Sequence, residues 1–316
     1  MNIKSILANS FIAVSVITLV ACGGENNPSK SSSKSNKEYR TVENDPTKTR
    51  IYTLDNGLKV YLYVNKEAPR LYTSIAVRAG SKNDPATATG LAHYLEHMLF
   101  KGTDKYGTLN YEAEAPLLDK IDSLYEMYRG TTDETERTTL YAKIDSVSQV
   151  ASTYAIANEY DKMVSEMGAK GTNAYTSQEE TVYINDIPTN QLEKWITLEA
   201  ERFRNPQLRL FHTELEAVYE EKNRSLDNDR GIAFETMMSN LFPNHQYGQQ
   251  TTIGTVDHLK NPSLTEIKKY FNTNYVPNNM AICLAGDIDP DKAIQLIKEH
   301  WGKFERKEVP HFTVAK

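Results

Sequence analysis

Apolar residues alternate with polar ones in some segments of the chain and recur every three or four positions in others. Alternation predicts β-strands, and the Asp55-Asn56-Gly57 turn between two such segments is a strong hairpin signal. Strand patterns are found at 50–54, 59–64, 71–78, 181–184 and 280–285. Helical spacing is found at 191–203, 214–222, 232–241, from 264 onward and at 290–301. This mixture predicts an α+β fold with helices packed on one face of a sheet.

A pair of helices is also predicted between residues 111 and 158. Apolar residues repeat at helical spacing in two consecutive sets, which are Leu117, Ile121, Leu124 and Tyr128, then Leu140, Ile144, Val147 and Ala151. Between the two sets, Arg129-Gly130 is typical of a helix end and Thr131-Thr132-Asp133-Glu134 is typical of a new helix start. We therefore expect a helical hairpin here.

The N-terminus has the pattern of an export signal. Lys4 precedes an apolar run from residue 6 to 20, and Leu19-Val20-Ala21-Cys22-Gly23 resembles a bacterial lipobox. We expect a signal peptide at 1–22, acylation of Cys22, a disordered polar tether at 23–48 and a protein held by lipid in the cell envelope. An uncleaved anchor or an ordinary secretory signal is the alternative.

Composition narrows the class of protein. Of the 316 residues, 39% are hydrophobic, which is enough for a packed core, and the net charge of −6 without a basic cluster argues against a nucleic-acid partner. The chain has two cysteines, so a disulfide framework is not expected. Cys283 lies in an apolar run and is most simply a small core residue.

The segment His93-Tyr94-Leu95-Glu96-His97 carries the clearest chemistry. Residues four apart lie on one side of a helix, so the two imidazoles can bind one metal ion. Glu96 stands beside such an ion, where a general base can take a proton from water, and His-x-x-Glu-His is the inverzincin signature. A pair of solvated histidines is the alternative, but the apolar neighbours and the glycine that is expected to stop the helix, Gly102, favour a zinc site.

A catalytic zinc site needs a third protein ligand. The best candidates are in the acidic segment 214–222, where Glu214 and Glu221 are two helical turns apart and share a face. Glu216 and Glu220 are interpreted as solvated side chains. His245 lies in a predicted loop, where a hydrogen-bonding role is favoured over a fourth ligand, and surface or capping roles are expected for His212, His258, His300 and His311.

These residues resemble the M16 metallopeptidases, the family of pitrilysin, insulysin and the mitochondrial processing peptidase. Five blocks carry the resemblance in order: 55–60, 77–81, 90–103, 173–177 and 275–287. The resemblance implies an α+β domain at 49–305 with a mixed or antiparallel sheet, and a tail or the start of a linker at 306–316.

The resemblance also implies roles for individual residues. It makes His93, His97 and Glu221 the ligands of one zinc ion and Glu96 the base that activates water. Glu214 would support the catalytic site, and Asn173, Ala174 and Tyr175 would hold an extended peptide by strand addition.

Two features depart from the family pattern. The gap between His97 and Glu221 is longer than the family usually allows, so 111–158 is interpreted as an inserted helical hairpin, either a partner-binding arm or a surface decoration packed on its host domain. The chain also ends just past the first domain, whereas family members close several similar domains around the substrate, so a second M16-like half is expected as a partner.

The leading hypothesis is therefore a zinc metalloendopeptidase domain that cleaves peptides or small unfolded proteins. The main alternative is a non-catalytic half that binds peptide and requires a partner chain for proteolysis. The third hypothesis is a scaffold with a structural zinc ion, in which Glu96 would have no role.

Overall fold

The computed structural model of the chain describes residues 38–67 and 69–310. The predictions for the signal peptide, Cys22, the first part of the tether and His311 lie outside the described residues. The last part of the predicted tether, 38–48, was expected to be disordered, but it makes defined contacts in the structure. Arg40 pairs with Ile51 by two backbone hydrogen bonds, and the Tyr39 ring packs 5.3 Å from the Tyr52 ring. This short segment therefore extends the edge of the sheet.

In the described part of the chain, six strands form one sheet, in the order β1-β2-β6-β3-β5-β4. Their bounds are β1 Arg50–Thr53, β2 Lys59–Val64, β3 Arg70–Val77, β4 Lys170–Thr176, β5 Thr181–Pro188 and β6 Met280–Gly286. Only β2 and β6 are parallel, and all other neighbours are antiparallel. The sheet is therefore mixed but mainly antiparallel, as predicted.

The helices within the described residues are, in chain order, α1 Leu91–Met98, α2 Tyr111–Gly130, α3 Glu134–Ser152, α4 Glu159–Glu166, α5 Leu192–Arg204, α6 Phe211–Leu226, α7 Asp229–Leu241, α8 Gln246–Gln249, α9 Val256–Lys260, α10 Leu264–Asn274 and α11 Pro290–Trp301. The short helices α4, α8 and α9 were not predicted, and α8 occupies the loop expected around His245. None of the helices in the described ranges is long and apolar enough to cross a lipid bilayer.

Alternate residues of the strands point into the helical layer. Val60, Ile75 and Ile282 are completely buried on that face and belong to the same core as Trp195 and Trp301. On the opposite face, Tyr72 is half exposed. An antiparallel sheet tolerates this arrangement because one face can remain in contact with water. The prediction of an α+β fold with helices on one sheet face is confirmed.

Cys283 corrects one sequence prediction. It alternates with the buried Ile282 and Leu284, so it lies on the sheet face away from the helical layer and is only partly buried. Continuous hydrophobicity in this strand suggested burial on both faces, but small residues such as Ala281 and Ala285 occupy the open face beside it.

The hairpin region contains the two predicted helices, α2 and α3. The Asp133 side chain accepts a hydrogen bond from the Glu136 backbone N–H at 2.8 Å, which makes it the cap of α3. The hairpin packs on its host domain: Tyr125 Oη lies 2.8 Å from His212 Nδ1, and Arg137 donates to Asn261 Oδ1 at 2.7 Å. Its packing fits the surface-decoration alternative, and the assignment as an insertion remains a prediction.

A buried ion pair ties α2 to the loop that follows α1. Arg209 donates to both carboxylate oxygens of Glu114, at 2.6 and 2.8 Å, and both side chains are at most 1% exposed. The same guanidinium donates to the backbone carbonyls of Lys101 and Thr103. Removal of one member of such a pair leaves the other charge buried without compensation.

We expect Glu114→Ala to lower the free energy of unfolding by about 3–5 kcal/mol, because Arg209 would then be buried without its carboxylate. Urea denaturation, followed by fluorescence of the two buried tryptophans, measures this loss. Glu112→Ala is the matched control, since Glu112 is in the same helical turn and exposed. Equal stability of the two variants would contradict the prediction.

Candidate metal centre

The helix α1 is fixed at its first turn. Gly90 has a φ of 88°, and a Cβ atom there would lie 2.6 Å from the carbonyl oxygen of Ile253, so only glycine fits. The buried Asp84 carboxylate accepts hydrogen bonds from the backbone N–H groups of Gly90 and Ala92, at 2.7 and 3.0 Å. These contacts satisfy backbone donors that the helix itself leaves unpaired.

The C-terminal end of α1 differs from the sequence prediction. The helix ends at Met98, and Leu99 is its C-cap. Gly102 lies four residues beyond Met98 and has a φ of 97°. Gly102 therefore turns the loop after the helix and does not stop the helix. A side chain at Gly102 would meet the backbone of Tyr106 and the Arg209 guanidinium.

His93, His97 and Glu221 come together at one point between α1 and α6. His93 Nε2 and His97 Nε2 are 3.3 Å apart. Glu221 Oε2 lies 3.6 Å from His93 Nε2 and 3.9 Å from His97 Nε2. Val218, which shares the inner face of α6 with Glu214 and Glu221, is completely buried, and this packing holds α6 in place. The structure thus brings together the three residues predicted as ligands.

This donor set fits a zinc ion. Two imidazole nitrogens and a carboxylate oxygen are the ligands of known catalytic zinc sites, which keep a further position for water. Donors that bind one tetrahedral zinc ion at about 2.0–2.2 Å lie roughly 3.3–3.6 Å from each other. The observed separations of 3.3, 3.6 and 3.9 Å are close to that range. Within the described part of the chain, this is the group of residues that could hold a metal ion.

The two histidines differ in protonation. Burial and the charge of His97 lower the pKa of His93 to about 4, so this imidazole is neutral at physiological pH. Burial would also lower the pKa of His97, but its hydrogen bond to Glu214 and the charges of Glu221 and Glu214 outweigh burial and raise it. His97 is therefore the ligand at which a proton competes with a metal ion.

Glu214 is placed to orient His97. Its Oε2 lies 3.2 Å from His97 Nδ1, so that nitrogen donates the hydrogen bond and Nε2 presents its lone pair. Lys101 donates to the other oxygen, Oε1. Although burial alone would raise the pKa of Glu214, the hydrogen bonds from His97 and Lys101 lower it. Glu214 is thus an ionised support for a histidine, as the resemblance implied.

His93 has no such support. Its Nδ1 is buried without a hydrogen-bond partner among residues 38–67 and 69–310, so no hydrogen bond at that nitrogen fixes the orientation of the ring. The ring lies edge-on to His97, with 4.8 Å between the centroids.

Glu96 lies beside the three donors and is 8% exposed. Its Oε2 accepts a hydrogen bond of 2.5 Å from Thr176 Oγ1, at the end of β4. Burial raises the pKa of Glu96, and the hydrogen bond from Thr176 and the charge of His97 oppose that shift. A carboxylate with a raised pKa accepts a proton more readily at neutral pH, which suits a general base.

The predicted peptide-binding residues lie on the edge of the sheet. Among the described strands, β4 has a neighbour on one side only, β5. Asn173 and Tyr175 are exposed and Ala174 is partly buried. The open edge of β4 can therefore accept another extended chain, and the Thr176 contact places the end of this edge beside Glu96.

Sequence reasoning did not assign roles to several residues that shape this centre: Asp84, Lys101, Thr176 and Arg202. Arg202 is fully buried, packs 4.4–4.6 Å over the rings of Phe100, Tyr160 and Tyr183, and lies 3.7 Å from the Glu199 carboxylate. Thr176 and Lys101 lie in two of the blocks that resemble the family, 173–177 and 90–103, but nothing in their local pattern shows which side chain they contact. The lysine four residues after the end of the motif, Lys101, is the one available signal.

Two of the other histidines, His258 and His245, have structural roles. His258 Nδ1 accepts from the Thr89 backbone N–H at 3.1 Å and supports the segment before α1. His245 Nδ1 accepts from the Tyr247 backbone N–H at 3.0 Å and caps α8, as the hydrogen-bonding interpretation expected. Glu216 and Glu220 are exposed on α6.

Comparison with known proteins identifies the family. The profile described as Insulinase (Peptidase family M16) matches residues 59–147 and 147–255, and the profile described as Peptidase M16 inactive domain matches 262–316. The chain belongs to the M16 insulinase family. The second match includes β6, which lies between β2 and β3, so both matched parts contribute to one sheet.

Individual relatives agree with this result. The chain is 27% identical to the insulin-degrading enzyme of Mus musculus over 282 residues, which cover 87% of this chain and 22% of the relative. It is 25% identical to an uncharacterised zinc protease of Mycobacterium leprae, with 79% and 45% covered. The crystal structure of a protease from Helicobacter pylori matches with a TM-score of 0.66 and 24% identity, with 85% and 54% covered. The chain thus spans less than half the length of these two curated relatives.

We expect zinc affinity to fall about tenfold per pH unit once the pH drops below the pKa of His97, because one proton then competes with the metal. The raised pKa moves this onset to a higher pH than for an ordinary histidine. In Glu214→Gln, the negative charge of Glu214 that helps to raise the pKa of His97 is absent. The fall in zinc affinity should therefore begin at a lower pH. Chelator competition at several pH values measures it.

Glu216→Gln, on the exposed side of the same helix, is the control and should behave as the wild type. An unchanged onset in Glu214→Gln would show that Glu214 does not set the protonation of His97.

Proposed function

We propose that this chain is the zinc-binding domain of a metalloendopeptidase that hydrolyses peptides or small unfolded proteins. The observation that carries the proposal is the convergence of His93, His97 and Glu221, with Glu96 beside them. Membership of the M16 family and similarity to a zinc protease support a peptidase activity and the choice of zinc. A purely structural zinc site would give no reason to hold a buried carboxylate at its side.

Each residue of the site would have a separate role in hydrolysis. His93 and His97, through Nε2, and Glu221, through Oε2, would hold the ion. A bound zinc ion would supply Lewis acidity, which acidifies water and polarises a carbonyl group. Glu96 would take the proton from the attacking water and return it to the leaving amine. Glu214 and Lys101 would keep His97 in the tautomer that exposes Nε2.

The substrate would bind as an added strand. Asn173, Ala174 and Tyr175 form the free edge of β4, and a peptide paired with them would be held by main-chain hydrogen bonds. Such bonds make few demands on side chains, so we expect broad sequence tolerance, with an extended backbone as the main requirement.

The location of the protein is also a proposal. The lipobox-like Leu19-Val20-Ala21-Cys22-Gly23 and the polar segment after it support export and attachment of Cys22 to lipid in the cell envelope.

We expect Glu96→Gln to retain one equivalent of zinc and lose peptide hydrolysis by at least about a hundredfold, because an amide cannot act as a base. His97→Ala and Glu221→Ala should instead lose zinc. Metal analysis and a peptide cleavage assay on the same preparations separate the two effects. Glu220→Ala is the control, since its side chain is exposed on the same helix as Glu221. Normal hydrolysis by Glu96→Gln would remove the base assignment, and stoichiometric zinc in Glu221→Ala would remove that ligand.

A second candidate function is a half-site subunit that binds zinc and peptide but cleaves only with a second M16-like half. The relatives extend well beyond the part that this chain matches, which supports a second M16-like half, in the same or a separate chain, as an opposing wall around the substrate. The chain would then act as one side of a shared chamber.

We expect turnover to rise at least about tenfold when the isolated chain is mixed with the second M16-like half of its own organism, because a peptide held from both sides loses more of its freedom to move. Peptide cleavage by each half and by the mixture measures the effect. Glu96→Gln in the mixture is the control for the origin of activity. Full activity of the isolated chain, with no change on mixing, would contradict the half-site candidate.

A further inference from the structure

The hydroxyl group of Thr176 makes the hydrogen bond that fixes the candidate base. Thr176 is the last residue of β4, and its Oγ1 lies 2.5 Å from Glu96 Oε2. Glu96 has no second hydrogen-bond partner in the described ranges, so its other oxygen, Oε1, remains available to accept a proton. A glutamate side chain has several rotatable bonds, so one short hydrogen bond decides which way the carboxylate points.

The direction of this hydrogen bond follows from its neighbours. A carboxylate can only accept, so Thr176 must be the donor. Its other polar neighbour is Thr181 Oγ1 at 3.5 Å, and Thr181 donates its own proton to the Ala79 carbonyl oxygen at 3.0 Å. The proton of Thr176 is therefore directed to Glu96.

Thr176 is itself held in place. It is the cross-strand partner of Thr181, which is completely buried. The contacts thus lead from the end of β3 through Thr181 and Thr176 to Glu96. The same strand, β4, carries the free edge at Asn173 and Tyr175. The position of the carboxylate is consequently tied to the strand that a peptide would pair with.

We propose that Thr176 is a positioning residue, whose hydroxyl group holds Glu96 Oε2 so that Oε1 faces the space beside His93, His97 and Glu221. Thr176 keeps its own proton throughout, and Glu96 accepts and releases the proton of the water. This inference rests on the proposed function for its effect on turnover, but the orientation of Glu96 is a property of the fold and can be measured without turnover.

The test compares Thr176→Val, which removes the hydroxyl group at nearly constant shape, with Thr176→Ser, which keeps it. We expect Thr176→Val to lower kcat by about ten- to a hundredfold, the usual effect of removing a supporting hydrogen bond. KM and zinc stoichiometry should stay at wild-type values, and Thr176→Ser should restore most of kcat. A general weakening of the fold would not be rescued in this way.

Thr172→Val is the matched control. Thr172 is on the same strand, and its hydroxyl group donates to Asn185 Oδ1 at 2.9 Å, so this variant should keep the wild-type kcat. If Thr176→Val does not fold, the same comparison is made between Thr176→Ala and Thr176→Ser. A kcat of Thr176→Val equal to the wild type, or a Thr176→Ser variant as slow as Thr176→Val, would overturn the proposal.

Crystal structures of the zinc-loaded wild type and Thr176→Val give the second readout. We expect one orientation of the Glu96 carboxylate in the wild type and a different or divided orientation in the variant. If neither protein hydrolyses peptide but Glu96 turns in the variant, the proposed function fails and the positioning role stands. If Glu96 does not move, the positioning role fails, whatever the activity of the wild type.

Discussion

Two partly buried imidazoles on one helical turn need a partner, and the fold provides it from a distant part of the chain. The α6 helix packs against α1 so that Glu221 Oε2 comes within 3.9 Å of both Nε2 atoms. Partly buried titratable groups at this spacing repel one another or are left without a partner, unless a bound ion compensates the cost of their burial. The packing of Val218 and the hydrogen bond from Tyr94 Oη to the Phe211 carbonyl hold the two helices in register. The site therefore depends on the contact between α1 and α6.

The side chains around this contact differ in charge and in pKa, and their hydrogen bonds and burial explain the differences. Glu214 stays ionised because Lys101 and His97 donate to it, and it orients His97 in return. Glu96 is buried, which raises its pKa, and Thr176 holds one of its oxygens. The loop after α1 is tied to α2 by the Arg209–Glu114 pair. Two carboxylates close to the same histidines are thus prepared for different roles by their surroundings.

Much of the fold could be predicted from the sequence because its signals are local. The Asp55-Asn56-Gly57 turn, the cap at Asp133 and the spacing of the motif each act within a few residues, and the structure has the predicted elements there. The acidic ligand, Glu221, was predicted from helical spacing together with the family resemblance. Errors occurred where tertiary contacts decide, as in the ordered segment at Tyr39 and Arg40, the open-face position of Cys283 and the end of α1. Thr176 and Lys101 could not be assigned, because their partners are remote in sequence.

The central claim is that one zinc ion binds where α1 and α6 meet. Anomalous diffraction at the zinc edge, from crystals of the full chain grown with zinc, tests it most directly. The account predicts one strong anomalous peak about 2.0–2.2 Å from His93 Nε2, His97 Nε2 and a Glu221 carboxylate oxygen. A peak at another group of residues, or full zinc occupancy with the Glu221 carboxylate turned away from the ion, would contradict it.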